Sequence, residues 1–235
     1  ILMKISVIIP VHKINNIVLE CINKIYKQIN YHELIIACDN INFSFKGAKI
    51  IKSDKQLYAN GIRNLGAKHA TGDYLLFIDS DIIVQDDFIK NLEIILNNKE
   101  IDILNFPINK EQSNNIFAKY KGFREKFYTF ILIKENLKNI KIPFYGFASI
   151  FRKKIFMNLG GWPEKEKYDF IMEHEGFQQI IFNSKYKNEI AESILVNHYH
   201  HKNLDLFKNI IFRTKIWTIK RLRNEVSIDV FKSKK

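Results

Sequence analysis

The feature that most narrows what this chain can become is the alternation of short apolar runs with stretches of helical periodicity over its first hundred residues. "KISVIIPV" is a nearly unbroken apolar run of the kind a parallel strand covered on both faces requires, and it is closed at Pro10. Ile14, Ile17, Cys21, Ile25 and Ile29 then recur near helical spacing before "ELIIACD" resumes the strand pattern, which makes a β-α-β unit. A third strand is expected around "AKIIK". A helix follows from about Gln56 to Ala70 with Leu57, Ile62, Leu65 and Ala70 inward, and after the "TGD" break comes a fourth strand, Tyr74 to Ile78. Such alternation predicts an α/β protein with a mostly parallel central sheet, flanking helices and right-handed crossovers.

The second half is less regular. "DILNFPI" and "PFYGFASIFRK" read as strands with an aromatic-rich segment between them, and "NLGGWPE" reads as a loop. "YDFIMEHEGFQQIIF" has helical spacing, "IAESILVNHYHH" reads as a strand ending in histidines, and a last helix is expected over roughly Leu204 to Arg223. No repeat, low-complexity linker or clear boundary divides the chain.

The fourth strand runs straight into Asp79-Ser80-Asp81. In open α/β sheets ligands sit outside the carboxyl ends of the strands, and three polar clusters fall there: Pro10-Val11-His12, Asp39-Asn40 and Asp79-Ser80-Asp81. An isolated Asp-x-Asp is a weak signal, because aspartates also cap helices, as Asp86 and Asp87 can for the next one. Its place at the end of a buried strand favours a functional reading. Two carboxylates this close repel unless a cation sits near them. Oxygen ligands suit Mg2+ or Mn2+, and an ion with few protein ligands completes its shell with phosphates and water. The expected ligand is a metal-bound diphosphate. The plainer alternative for Asp39 is a turn residue.

Thirty-seven basic against 25 acidic residues give a formal charge of +12, which points to an anionic partner: a nucleotide, a nucleic acid or an acidic membrane surface. A lysine-rich composition explains the same number, since the basic residues are scattered. Cys21 and Cys38 are the two cysteines, without metal-type spacing, and are expected as inert core residues in a reducing compartment. No apolar stretch approaches a membrane span, so a cytoplasmic location is expected, with peripheral contact at the inner face of the membrane left open.

Taken together and in order, "ISVIIPV", "LIIACDN", "GIRNLGAKHATGDYLLFIDSD" and "LGGWPE" resemble the bacterial family 2 glycosyltransferases, which have a GT-A fold. The similarity covers roughly residues 4–200. Its most specific part is Arg63-Asn64 with Gly66, Gly72-Asp73 and Asp79-Ser80-Asp81. The resemblance implies one GT-A-like domain over residues 1–235: a nucleotide-binding half over about 3–105, an acceptor-binding half over about 106–203 and a C-terminal helical segment over about 204–235. It implies that Pro10 and Val11 line the nucleotide pocket, Asp39 receives the base and Arg63 lies near the base or diphosphate. A carboxylate at Asp39 can accept the imide N–H of uracil or thymine or the N–H edge of guanine, so uridine is the favoured base ahead of thymidine and guanosine. Asp79, with Ser80 beside it, would hold the ribose, and Asp81 would ligate Mn2+ or Mg2+. His198 or His200 would complete the metal shell or contact the diphosphate, against the alternative of structural histidines at a strand end.

Two positions depart from the family pattern. Cys38-Asp39 stands where two aspartates are usual, and "MEHEGF" stands where the acceptor-side Glu-Asp is usual. An inverting transferase needs a base on the acceptor side, and Glu175 is the expected one, with Glu173 second and His174 third. Residues two apart on a helix do not share a face, so the two glutamates are not equivalent, and a solvated acidic helix start is the plainer alternative.

The expected activity is metal-dependent transfer of a sugar from a nucleotide-diphosphate donor to a saccharide or lipid-linked acceptor, with inversion, in surface polysaccharide or lipooligosaccharide synthesis. Tyr120, Phe123, Phe127, Tyr128, Trp162 and Tyr168 are candidates for a sugar-stacking platform, though most are expected in the core. In the last helix one stripe, Leu206, Ile210 and Trp217, is expected to pack on the domain. The opposite one, Phe212, Ile216 and Ile219, flanked by Lys208, Lys215 and Arg223, is expected to meet an anionic membrane or a second subunit. Three rivals stand beside this reading: a sugar nucleotidyltransferase, for which "PVHKINN" lacks the glycine-rich loop; an inactive relative that binds or scaffolds; and a nucleic-acid-binding protein. The last is disfavoured because no reading module is recognisable.

Overall fold

The computed structural model describes residues 3–39, 41–111, 123, 144, 146–164, 173–191 and 193–199. β1 (Ile5–Val11) lies between β2 (Glu33–Asp39) and β4 (Tyr74–Ile78), parallel to both, and β3 (Lys49–Ser53) adds a parallel edge beside β2. Beyond β4 the sheet turns antiparallel at β8 (Ala148–Arg152), which pairs with β6 (Ile103–Asn105), and β6 takes β9 (Asn188–Ile190) in parallel. The seven-stranded order is β3-β2-β1-β4-β8-β6-β9. A three-stranded sheet sits beyond the end of β4, with β10 (Val196–His198) between β5 (Ile82–Val84) and β7 (Ile108–Glu111).

Alternation along β1 divides the core. Ile5, Val7, Ile9 and Val11 face α1 (Asn16–Tyr26) and α3 (Phe88–Asn98), while Ile8 faces the side of α2 (Ala59–His69), α4 (Lys153–Asn158) and α5 (Glu173–Asn183). α1 begins where Asn15 Oδ1 accepts from Val18 N at 3.0 Å. α2 lies close on the sheet: a Cβ at Gly66 would stand 2.5 Å from Ile8 Cγ2, so this position admits no side chain.

Several boundaries differ from the sequence expectation, each for a local reason. β1 does not stop at Pro10 but continues to Val11, because pairing with β4 ends at Ile8 and the missing N–H of Pro10 leaves no ladder bond unmade on that side. α1 ends at Tyr26: Ile29 is exposed, and Gln28 turns inward instead, accepting from Ile89 N at 3.2 Å and donating to Gln85 O at 3.1 Å. That glutamine does for α3 what Asp87 does not, since Asp87 makes no side-chain cap bond and Asp86 pairs with Lys24 at 2.6 Å. α2 begins at Ala59, not Gln56, because the N–H of Leu57 is held by Asp39 Oδ2 at 2.8 Å. "DILNFPI" is two strands, broken between Asn105 and Ile108, and "IAESILVNHYHH" is split between the last residue of β9 in one sheet and β10 in the other. The expected C-terminal helix over about 204–223 lies outside the described residues, as do Tyr120, Phe127, Tyr128 and Tyr168.

The amino edge of the sheet is tied by Glu33. Its Oε1 accepts from Ser6 Oγ (2.7 Å), Thr71 N (2.6 Å) and Thr71 Oγ1 (2.7 Å), and Ser6 Oγ in turn accepts from Gly72 N at 2.8 Å. Burial alone would raise the Glu33 carboxyl, but these donors and Lys49 outweigh it and hold it below its ordinary value of 4.5. The stabilisation is therefore present above that value and lost as pH falls below it. Glu33→Gln is expected to cost about 1 kcal/mol near neutral pH, at the low end because the group is partly exposed. In urea melts the gap between the two proteins should close in acid; a gap that persists there would assign the effect to packing.

Candidate active site

The site is built at the carboxyl ends of β1, β2 and β4. Pro10 and Val11 pair with Ala37 and Cys38 at the close of β1, and Asp39 ends β2. Asp39 is buried; its Oδ1 lies 3.6 Å from His12 Nδ1, outside hydrogen-bond length. Burial and the Arg63 charge pull the His12 imidazole below its usual value although Asp39 pulls the other way, so His12 is neutral at pH 7.

Past β4 the chain makes a tight turn in which Ile82 N donates to Asp79 O at 3.0 Å, with Ser80 at its apex. Asp79 N donates to Phe147 O at 2.8 Å. The Asp79 carboxylate meets a cation that belongs to the protein: Arg63 Nη2 donates to Oδ1 at 2.6 Å. Arg63 is itself buried, donates through Nη1 to Asn60 Oδ1 at 3.1 Å, and lies 4.8 Å above the Trp162 ring. Burial pushes the Asp79 carboxyl above its usual range, Arg63 opposes that, and the neighbouring Asp81 charge adds to it.

Asp81 takes a different partner. β10 runs antiparallel to β5 with His198 opposite Ile82, and Tyr199 N donates to Asp81 O at 2.9 Å. This pairing brings His198 Nε2 within 3.4 Å of Asp81 Oδ2. The imidazole is buried and stacked on Phe147 with ring centroids 5.6 Å apart, which limits how it can turn. A carboxylate and an imidazole nitrogen side by side are suitable donors for a divalent cation. Among the described residues no group of three or more His, Cys, Asp or Glu gathers as a metal site.

Of the residues expected from sequence, Asp79, Ser80, Asp81, Arg63 and His198 are brought together, with Pro10, Val11 and Asp39 at the ends of adjoining strands. Glu173 and Glu175 stand in the first turn of α5. His200 lies outside the described residues. Trp162 is not a surface platform: it is buried in an aromatic cluster with Phe77, Phe144 and Phe177, whereas Phe123 is exposed. Cys21 is buried with Sγ 3.6 Å from Asp79 O, and burial drives its thiol far up, which rules it out as a nucleophile. Asn60 and Phe147 were not legible as site residues. Asn60 lies one helical turn before Arg63, and a buried asparagine there is the signal that something polar must be met.

A sheet of this order with an acidic turn after β4 defines a GT-A fold. The structure aligns with the mannosyltransferase PcManGT from Pyrobaculum calidifontis in complex with GDP-Man and Mn2+ at a TM-score of 0.64 and 15% identity, covering 83% of this chain and 56% of that one. It aligns with S. aureus TarS in complex with UDP-GlcNAc at 0.62 and 15%, covering 86% and 60%. The sequence profile of "Glycosyl transferase family 2" matches residues 6–160, and the chain belongs to that family. Two relatives from Streptococcus pneumoniae serotype 4 are glycosyltransferase GlyG, 24% identical over 132 residues, and glycosyltransferase GlyA, 27% identical over 150. Those alignments take in 50% and 57% of this chain but 44% and 21% of the relatives, so the chain spans less than half of either.

Proposed function

We propose that the protein transfers a sugar, with inversion, from a nucleotide-diphosphate donor to a saccharide or lipid-linked acceptor in surface polysaccharide or lipooligosaccharide assembly, and that it requires Mn2+ or Mg2+. The observation that carries this is the pairing of Asp81 with His198 beside an Asp79 already neutralised by Arg63. Of the two acidic groups after β4, one is spoken for by the protein and the other is matched to an imidazole. Asp81 and His198 would hold the ion, which when bound supplies positive charge for the departing diphosphate.

Uridine remains the favoured base, and Asp39 gives a physical reason. With Oδ2 engaged by Leu57 N, Oδ1, 3.6 Å from His12 Nδ1, is the oxygen that would meet a base, and one oxygen matches the single imide N–H of uracil better than the two N–H groups of guanine. Pro10 and Val11 would wall the base, and Asp79 and Ser80 would meet the ribose. On the acceptor side Glu175, at the start of α5, would take the hydroxyl proton as that oxygen bonds to the anomeric carbon and the bond to the diphosphate oxygen breaks on the opposite face. Glu173 is the alternative base.

Two experiments test this. Thermal stabilisation should be larger with UDP than with GDP in the presence of Mn2+; the reverse order would overturn the base assignment. Glu175→Gln is expected to lower transfer about 100-fold or more with UDP affinity unchanged. Full activity in both Glu175→Gln and Glu173→Gln would remove the base from this helix. Among the described residues no helix is long and apolar enough to cross a membrane. Peripheral contact or a homodimer through the basic C-terminal segment is proposed from its composition, and vesicle sedimentation with anionic lipid checks it.

A further inference from the structure

Two segments far apart in the chain, Arg63-Asn64 on α2 and Gly160-Gly161-Trp162-Pro163-Glu164 after α4, meet as two halves of one clamp. The Asn64 amide binds Trp162 as a neighbouring strand would: Oδ1 accepts from Trp162 N at 2.9 Å and Nδ2 donates to Trp162 O at 2.8 Å. The same Nδ2 reaches Glu164 Oε1 at 2.5 Å, and one turn earlier Asn60 Nδ2 donates to Pro163 O at 2.9 Å. The loop can come this near only because of its glycines. Gly160 and Gly161 have φ of +82° and +73°, and a Cβ on Gly161 would stand 2.9 Å from Asn64 Oδ1.

What the clamp holds is the Trp162 ring, which lies between two parts of the proposed machinery. Arg63, the partner of Asp79, sits 4.8 Å above it, and Phe177 of α5, the helix that carries Glu173 and Glu175, packs against it with centroids 4.6 Å apart. We propose that Asn64 is a positioning residue: by gripping the Trp162 backbone it fixes the ring that sets the donor-side Arg63–Asp79 pair and the base-bearing helix at one separation. The inference rests on the glycosyltransferase reading for its catalytic consequence, but the clamp itself is a matter of geometry. A misplacement of the base helix by a fraction of a side chain's width would slow transfer, while Pro10, Val11, Asp39 and Asp81, on β1, β2 and the turn after β4, would keep their hold on nucleotide and ion.

The test uses the full chain. Trp162 and Trp217 are its two tryptophans, so a Trp217→Phe background isolates the emission of Trp162. Asn64→Ala removes the grip, and Gly161→Ala pushes the loop off it while leaving every polar side chain in place. Both are expected to red-shift Trp162 emission and increase acrylamide quenching. Turnover of UDP-glucose or UDP-N-acetylglucosamine with Mn2+ should fall about 10- to 100-fold while affinity for UDP with Mn2+ stays within about twofold. The double variant should be no worse than the poorer single one, because both act through one contact. Unchanged Trp162 emission, additive losses, or a fall in UDP affinity equal to the fall in turnover would overturn the proposal. If Asn64→Ala does not fold, Gly161→Ala decides alone by the same emission and turnover readings. If the unmodified protein neither binds UDP with Mn2+ nor releases UDP from these donors, the proposed function fails. The emission cycle, which needs no ligand, still judges the clamp.

Discussion

On the proposed function, Asp81→Ala is expected to abolish stabilisation by UDP that depends on Mn2+ and to reduce sugar transfer by about 1,000-fold or more, since the ion and the positive charge it would supply to the departing diphosphate would be lost together. The fold should tolerate the change. Asp81 is about a third exposed, its backbone carbonyl bond to Tyr199 N needs no side chain, and Ala removes a carboxylate that raises the proton affinity of Asp79. His198→Ala should act on the same property more weakly, with Mn2+ affinity falling and the emptied space beside Phe147 costing some stability. Isothermal titration of Mn2+ in the presence of UDP separates the two variants. Equal Mn2+ binding by the wild type and Asp81→Ala would show that this carboxylate holds no ion.

Arg63→Met is expected to be the most destabilising single change in the site. It leaves Asp79 without its 2.6 Å partner, takes a bond from Asn60 and removes the cation above Trp162. Breaking a buried ion pair on one side costs about 3–5 kcal/mol, and the lower end applies because the Asp79 side chain keeps 20% of its exposure. The loss should depend on pH in a defined direction. Arg63 lowers the Asp79 pKa against burial, so its removal raises that pKa further. A protonated Asp79 needs no cation, and an ionised one does. The variant should therefore lie nearest the wild type in acid and fall away from it as pH rises toward neutrality. Asp79→Asn in the Arg63→Met background should recover part of the stability at pH 7. Guanidinium melts at several pH values measure both effects, and a difference that is flat with pH would assign the cost to lost packing over Trp162.

Much of the site was legible because it is topological. Asp39 and Asp79 each follow a run that reads as a buried strand, and parallel strands joined by right-handed crossovers carry their ends to the same edge. What was not legible was the partner of each carboxylate. The acidic pair called for a cation, and a metal was the natural reading. The fold supplies Arg63, buried on α2, to Asp79 and leaves Asp81 to His198. The end of α1, expected to take in Ile29, and the start of α2, expected near Gln56, were misread for a similar reason. Periodicity marks which residues are apolar, but a single side-chain bond from another element, Gln28 to Ile89 N or Asp39 to Leu57 N, decides where a helix starts or stops.

The amino-acid sequence by itself determined the parallel α/β core, the sheet edge to which Asp39 and Asp79 are carried and the acidic turn after the fourth strand. Those follow from patterns of period two and 3.6 that act over a few residues. The tertiary structure alone decided that His198 stands beside Asp81, that Trp162 is core rather than surface, and that Asn64 grips a loop 98 positions away. Pairings of that range depend on how sheets and helices stack. No local preference encodes them, because each costs chain entropy that only the assembled core repays.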